Sequence, residues 1–151
     1  MYGLMFFLHI AGLCIWFGSM VTILILLLIL RKDLANETVA ALTKRTVGIA
    51  NRITHPSATV VLLSGITMLV LIGMDQYGNL PFWIHFMEQA GSLVILAFLV
   101  LISIAGRKVT RHIAENKLDL ANKSLNRYLT FMIVLALGVI AVIYVVSAKI
   151  S

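Results

Sequence analysis

Four long apolar runs, separated by short polar segments, dominate the chain. They cover approximately residues 4–30, 47–73, 82–106 and 128–148, and each is close to or above the roughly 20 residues that a membrane-spanning helix needs. The runs lack the polar–apolar alternation of barrel strands. Because hydrocarbon cannot satisfy exposed backbone groups, helices are the expected spanning structure. The pattern therefore predicts an all-α integral membrane four-helix bundle, built from two helical hairpins in a single domain over residues 1–151.

The composition is typical of an integral membrane protein. Hydrophobic residues make up 61% of the 151 residues, and charged residues only 12%. Mean hydropathy is +1.04. A formal net charge of +6 is also found in nucleic-acid-binding proteins, but here the basic residues flank the apolar runs. We therefore expect the lipid bilayer, and not nucleic acid, as the partner.

The basic residues also predict the orientation in the membrane. They concentrate in and beside the first and third connections, whereas the second connection, Met74 to Pro81, has no Lys or Arg. By the positive-inside rule, loops 31–46 and 107–127 are cytoplasmic and both termini are extracytoplasmic, as in a multi-pass cell-membrane protein. The two basic loops have partly apolar faces and are expected to extend the helices along the inner surface. Gly78, Asn79 and Pro81 predict a tight external turn.

Two histidines occupy matching positions in the two halves of the chain. The spacing from His9 to His85 equals the spacing from Arg31 to Arg107, which predicts two similar hairpins related by an axis along the membrane normal. As a helix, the stretch from His9 to Arg31 is roughly 33 Å long, about the hydrocarbon thickness. Both histidines are therefore predicted at the outer margin of the membrane.

The neighbours of these histidines suggest a binding site. Small and polar groups follow helical spacing on the first helix (His9, Gly12, Trp16, Ser19) and on the third (His85, Glu88, Gln89, Ser92). Polar groups are costly against lipid, so both stripes are expected to face the bundle interior. His9 and His85 can then supply both axial ligands of a b-type haem, with room for the macrocycle beside Gly12. Glu88 is placed to accept the second ring proton of a ligand histidine.

Copper is a different use of the same pair of histidines. Met5 lies one turn before His9, and Met87 lies beside His85. Thioether and imidazole ligands suit Cu(I), although methionine is also an ordinary apolar filler. A purely structural interpretation stays open as well, because histidines near Tyr2, Trp83 and similar residues also occur in aromatic belts.

His55 lies apart from this site. It follows Arg52 and precedes Pro56, which places it near the inner boundary, where the proline begins or kinks the second helix. His55 is a possible second site, and His112 is expected to be a solvated loop residue. Cys14 is a single cysteine, and no hydrolase or phosphate-binding motif occurs, so no catalytic residues are predicted.

The first helix resembles a known family of membrane proteins. The segment Phe7 to Ser19, with its Leu-His pair and its Trp-Phe-Gly, resembles the first helix of the copper resistance protein D-like family and of the related HemJ-type protoporphyrinogen oxidases. The stretch from Pro56 to Gly65 and Trp83 at the start of the third helix are similar too. The resemblance implies His9 as a haem or metal ligand and Trp16 as its packing neighbour. The HemJ-type lysine after the tryptophan has no counterpart here.

The sequence thus favours a membrane protein that binds b-type haem, or copper, near the extracytoplasmic face. Its role would be electron transfer, redox sensing or metal handling. Its possible partners are a membrane redox protein or a second copy of the chain. The alternatives are a HemJ-like porphyrinogen oxidase, which would be a haem-dependent membrane oxidoreductase, and a non-catalytic module that packs against a partner subunit.

Overall fold

A computed structural model describes residues 1–73, 78 and 80–149. This part of the chain contains four α-helices, α1 (Tyr2–Leu30), α2 (Glu37–Ile72), α3 (Phe82–Ala114) and α4 (Leu118–Ala148), and a 3-10 turn at Arg31–Asp33. All four helices are long and apolar enough to cross a membrane. The predicted all-α four-helix architecture is therefore confirmed. The predicted external turn falls mostly on residues 74–77 and 79, outside the described residues.

The helices pack as two antiparallel hairpins. Helix α1 packs mainly against α2, and α3 mainly against α4, while α2 joins the hairpins through α3 and α1 touches α4 less extensively. We call the end of the bundle that carries Tyr2, Ile72, Phe82 and Ala148 the terminal end. The opposite end, which carries most of the Lys and Arg side chains, is called the basic end.

At the basic end the helices continue well beyond the apolar runs. Helix α2 starts at Glu37 instead of near residue 47, because Asn36 caps it by accepting hydrogen bonds from the backbone N–H of Thr38 at 2.9 Å and of Val39 at 3.4 Å. Helices α3 and α4 likewise extend towards each other. The hydrophobic core of the bundle continues between these extensions, where the buried residues include Leu34, Ala40, Thr43, Ile113, Ala121 and Leu125.

A tight turn joins α3 to α4 at the basic end. Asn116 has a φ of 53°, a left-handed conformation that asparagine tolerates better than most residues. Lys117 Nζ donates to Glu115 Oε2 at 2.8 Å, and this hydrogen bond lowers the pKa of the Glu115 carboxyl below its usual value. Only three residues, 115–117, therefore separate α3 from α4.

The buried core ends before the terminal end is reached. Among the described residues, α1 has no buried side chain before Gly12, α3 has none before Ile95, and α4 has none after Val139. Below that level the helices approach closely at glycines. A Cβ on Gly106, for example, would lie 3.2 Å from Val47 Cγ1 and 3.4 Å from Tyr128 Cε2. The helices therefore separate towards the terminal end and enclose a cavity there.

Candidate functional site

The cavity at the terminal end is lined by all four helices. Its volume is about 470 Å³, within the range of roughly 300–1,000 Å³ that is usual for small-molecule sites. The lining residues come from Tyr2 to Trp16 of α1, Val61 to Ile72 of α2, Trp83 to Ile95 of α3 and Val139 to Ser147 of α4. Most of them are apolar, and His9 and Glu88 are the ionisable residues among them other than Tyr2. Such a cavity suits an apolar ligand held by few polar groups.

His9 is fixed in the cavity wall by α2. Its Nδ1 lies 3.0 Å from the carbonyl oxygen of Val61 and 3.1 Å from Ser64 Oγ. A carbonyl oxygen can only accept, so Nδ1 carries the proton and donates it to Val61. In the neutral imidazole, Nε2 then keeps its lone pair. Metal-binding histidines use this arrangement, in which one nitrogen is tied to the backbone and the other serves as the ligand.

Gly65 makes room for the His9 ring. A Cβ at position 65 would lie 3.3 Å from His9 Cε1 and 3.6 Å from Nδ1. This contact is tighter than an ordinary van der Waals contact, so a larger residue would push the imidazole away from α2. Nothing in the sequence distinguished Gly65 from a glycine that only brings helices together. Its position beside the His9 ring gives it a second role.

Trp16 marks the floor of the cavity, where the buried core begins. Its side chain is 1% exposed and meets the Phe98 ring edge-on, with a centroid distance of 5.2 Å. The indole Nε1 is buried and has no hydrogen-bond partner among the described residues. Trp16 and His9 therefore line the same cavity, and the role that the family resemblance implied for Trp16 stays a prediction.

Helix α3 contributes part of its predicted polar stripe to the cavity. Met87, Glu88 and Ser92 line the cavity, whereas His85 is not in its lining. The Ser92 hydroxyl donates to the backbone carbonyl oxygens of Glu88 and Gln89, so its proton is used in hydrogen bonds within α3. Pairing of His9 with His85 across the bundle stays a prediction.

Gly12 and Met5 lie outside the cavity lining. A Cβ on Gly12 would come within 3.0 Å of Val61 Cγ2 and 3.4 Å of the Ser57 carbonyl oxygen. The missing side chain thus lets α1 approach α2, and the space beside Gly12 is filled by protein instead of being open to a macrocycle. Two methionines do line the cavity, Met68 of α2 and Met87 of α3. Nothing in the sequence distinguished Met68 from the other methionines.

His55 and His112 lie nearer the basic end than His9 and make contacts there. His55 Nε2 and Ser103 Oγ are hydrogen-bonded at 2.6 Å, and Pro56 lies inside the continuous helix α2. His112 was expected to be a solvated loop residue, but it belongs to the last turn of α3 and its Nδ1 lies 2.8 Å from Ser124 Oγ. Neither residue shares the cavity with His9.

Sequence reasoning did not select Val61, Ser64 or Gly65 as partners of His9. The signal available for them was a serine–glycine pair within the apolar run 47–73. Among the described residues, no group of three or more His, Cys, Asp and Glu side chains is arranged to hold a metal ion. A ligand of this cavity would therefore be held mainly by apolar contact with one or two ligating side chains.

Comparison with known proteins does not assign the chain to a family. No protein-family model matches it, and no match was found among curated proteins or solved structures.

Proposed function

We propose that this chain is a multi-pass cell-membrane protein that holds a b-type haem in the cavity at the terminal end, where His9 would be a ligand of the iron. One observation carries the proposal: His9 lines an apolar cavity while its Nδ1 donates to a backbone carbonyl, which leaves Nε2 as the ligand atom. The bound haem would supply one-electron chemistry, for electron transfer or redox sensing.

The chain's own residues have distinct parts in this proposal. Val61 and Ser64 orient the His9 imidazole, and Gly65 leaves the space that the ring occupies. On the opposite wall, Met87 lies in the cavity lining and His85 lies nearby on the same helix. Met87 and His85 are the two candidates for a second iron ligand. The choice would affect the reduction potential, which a methionine ligand raises.

The proposed orientation places the cavity towards the extracytoplasmic side. The two basic connections lie at the end of the bundle opposite the cavity, and by the positive-inside rule that end is cytoplasmic. His9 would then hold the group on the outer side of the cell membrane. A membrane redox protein or a second copy of the chain is the kind of partner that this role needs.

Copper binding is the second candidate, and a specific observation favours it. The thioethers of Met68 and Met87 line the same cavity as His9, and thioether and imidazole groups together suit Cu(I). The two candidates use the same imidazole, so they exclude each other at full occupancy.

Absorption spectroscopy of the purified, haem-reconstituted protein tests the proposal. We expect a Soret band in the unmodified protein, its loss in His9→Ala, and its retention in the control His112→Ala, whose histidine lies at the basic end. Loss of the band in His85→Ala or in Met87→Ala would identify the second ligand. Absence of a Soret band from the unmodified protein would reject haem, and copper analysis after Cu(I) loading would then test the second candidate.

A further inference from the structure

A second group of polar side chains lies inside the bundle, nearer the basic end than the cavity. Asn51 and His55 come from α2, Ser103 comes from α3, and Tyr128 comes from α4. Tyr128 is 0% exposed. The group therefore includes side chains from the first hairpin, on α2, and from the second hairpin, on α3 and α4.

Gly106 brings the members of this group together. A Cβ at position 106 would lie 3.3 Å from Asn51 Nδ2 and 3.4 Å from Tyr128 Cε2. The amide of Asn51 and the ring of Tyr128 thus flank the same glycine. One helical turn further along α2, His55 Nε2 is hydrogen-bonded to Ser103 Oγ at 2.6 Å.

Three polar atoms of the group lack partners within the protein. Asn51 Oδ1, His55 Nδ1 and the Tyr128 hydroxyl are buried and have no hydrogen-bond partner among the described residues. Leaving such atoms unpaired is costly, and most costly in an apolar interior. The three atoms together offer an acceptor (Asn51 Oδ1), a group that donates and accepts (Tyr128 OH), and a ring nitrogen whose tautomer can adapt.

We propose that Asn51, His55 and Tyr128 form a binding site for at least one buried water molecule. Water has two donors and two acceptors, and buried waters in proteins usually have two to four polar partners, which matches this set of atoms. Such a water would link α2 of one hairpin to α4 of the other. This proposal does not depend on haem or copper binding in the cavity.

The group lies between the basic end and the cavity. Arg52, Arg107 and Arg127 each adjoin a residue of this region in sequence, so the basic end lies close by. In the other direction, Phe98 is 0% exposed and its ring lies 5.9 Å from that of His55 and 5.2 Å from that of Trp16. These two aromatic residues form an apolar layer between the proposed water site and the cavity.

Radiolytic labelling of the full-length protein in lipid nanodiscs with ¹⁸O-water tests the proposal. Hydroxyl radicals formed from a bound water label the side chains beside it, even when those side chains are buried. We expect label at Tyr128 and far less at Met20, which is also 0% exposed and whose thioether oxidises readily. Tyr128 label that does not exceed that of Met20 would overturn the proposal.

Two variants then show whether Asn51 holds the same water. Asn51→Leu removes the amide oxygen at similar side-chain size, and we expect the Tyr128 label to fall by about fivefold or more, the factor that corresponds to losing one ordinary hydrogen bond. The control Asn126→Leu changes an amide on the surface of α4, whose Oδ1 accepts from Arg31, and should leave the label unchanged. Unchanged label in Asn51→Leu would show that Asn51 is not part of the site.

Discussion

The Nδ1 atom of His9 on α1 lies 3.0 Å from the carbonyl oxygen of Val61 on α2. The acceptor is a backbone group, so side-chain substitution at position 61 does not remove it. The orientation of the imidazole thus depends on how closely α1 and α2 pack, and it is that packing which Gly12 and Gly65 permit. Tests of the cavity should therefore change the surroundings of His9 as well as His9 itself.

Replacing Ser64 by alanine should weaken haem binding without abolishing it. The substitution removes the hydroxyl that lies 3.1 Å from His9 Nδ1 but keeps the Val61 carbonyl. Changes in groups that orient a ligand typically cost 10–100-fold in affinity, and with one acceptor retained we expect a loss of about tenfold or less in a haem titration. Ser103→Ala, which alters a serine beside His55 instead, should leave the affinity unchanged. An equal loss in both variants would contradict the role given to Ser64.

Gly65→Ala should impair haem binding while leaving the fold intact. Its methyl group would lie 3.3 Å from His9 Cε1, so the ring must shift by a few tenths of an ångström, and we expect a loss of about tenfold in haem affinity. Gly18→Ala is the matched control because nothing lies within 4 Å of the added Cβ. It should keep the haem affinity and stabilise α1 by up to about 1 kcal/mol, as alanine replaces glycine in a helix.

Phe98→Ala should be strongly destabilising. Phe98 is 0% exposed and its ring meets that of Trp16 at the floor of the cavity. Truncation of a fully buried phenylalanine costs about 3–5 kcal/mol, since apolar contacts are lost and a void remains. Reversible unfolding in mixed detergent micelles measures this cost. Phe82→Ala, which removes a ring that is 54% exposed, should cost far less, and similar costs for both would contradict the assigned core.

Asn36→Ala should loosen the start of α2 at the basic end. The substitution removes the side chain that accepts from the backbone N–H of Thr38 and Val39, and loss of such a cap costs about 1 kcal/mol. Amide hydrogen exchange should rise in residues 37–40. Asn36→Asp keeps a capping oxygen, so its exchange rates should stay near those of the unmodified protein. Equal protection in both variants would contradict the cap.

The sequence by itself determined the number of helices and where their apolar parts lie. The length and composition of an apolar run are local properties, and no packing arrangement in lipid offers the backbone a better solution than a helix. The helical extensions at the basic end were harder to predict from the sequence. The segment from Glu37 to Thr46 contains polar and charged residues, and its helical state depends on the Asn36 cap and on burial of Ala40 and Thr43.

Only the tertiary structure decided which residues meet. The stripe of small and polar residues on α1 directed His9 towards the bundle interior. Because α1 is otherwise apolar on nearly every side, the sequence did not tell which neighbouring helix His9 would meet. The equal spacing of the two histidines suggested that they face each other. Packing turns His9 towards Val61 and Ser64 of α2. His85 is not among the residues that line the cavity, and its pairing with His9 stays a prediction. The rotation of each helix about its axis depends on contacts between residues far apart in the chain, and spacing along one helix does not contain that information.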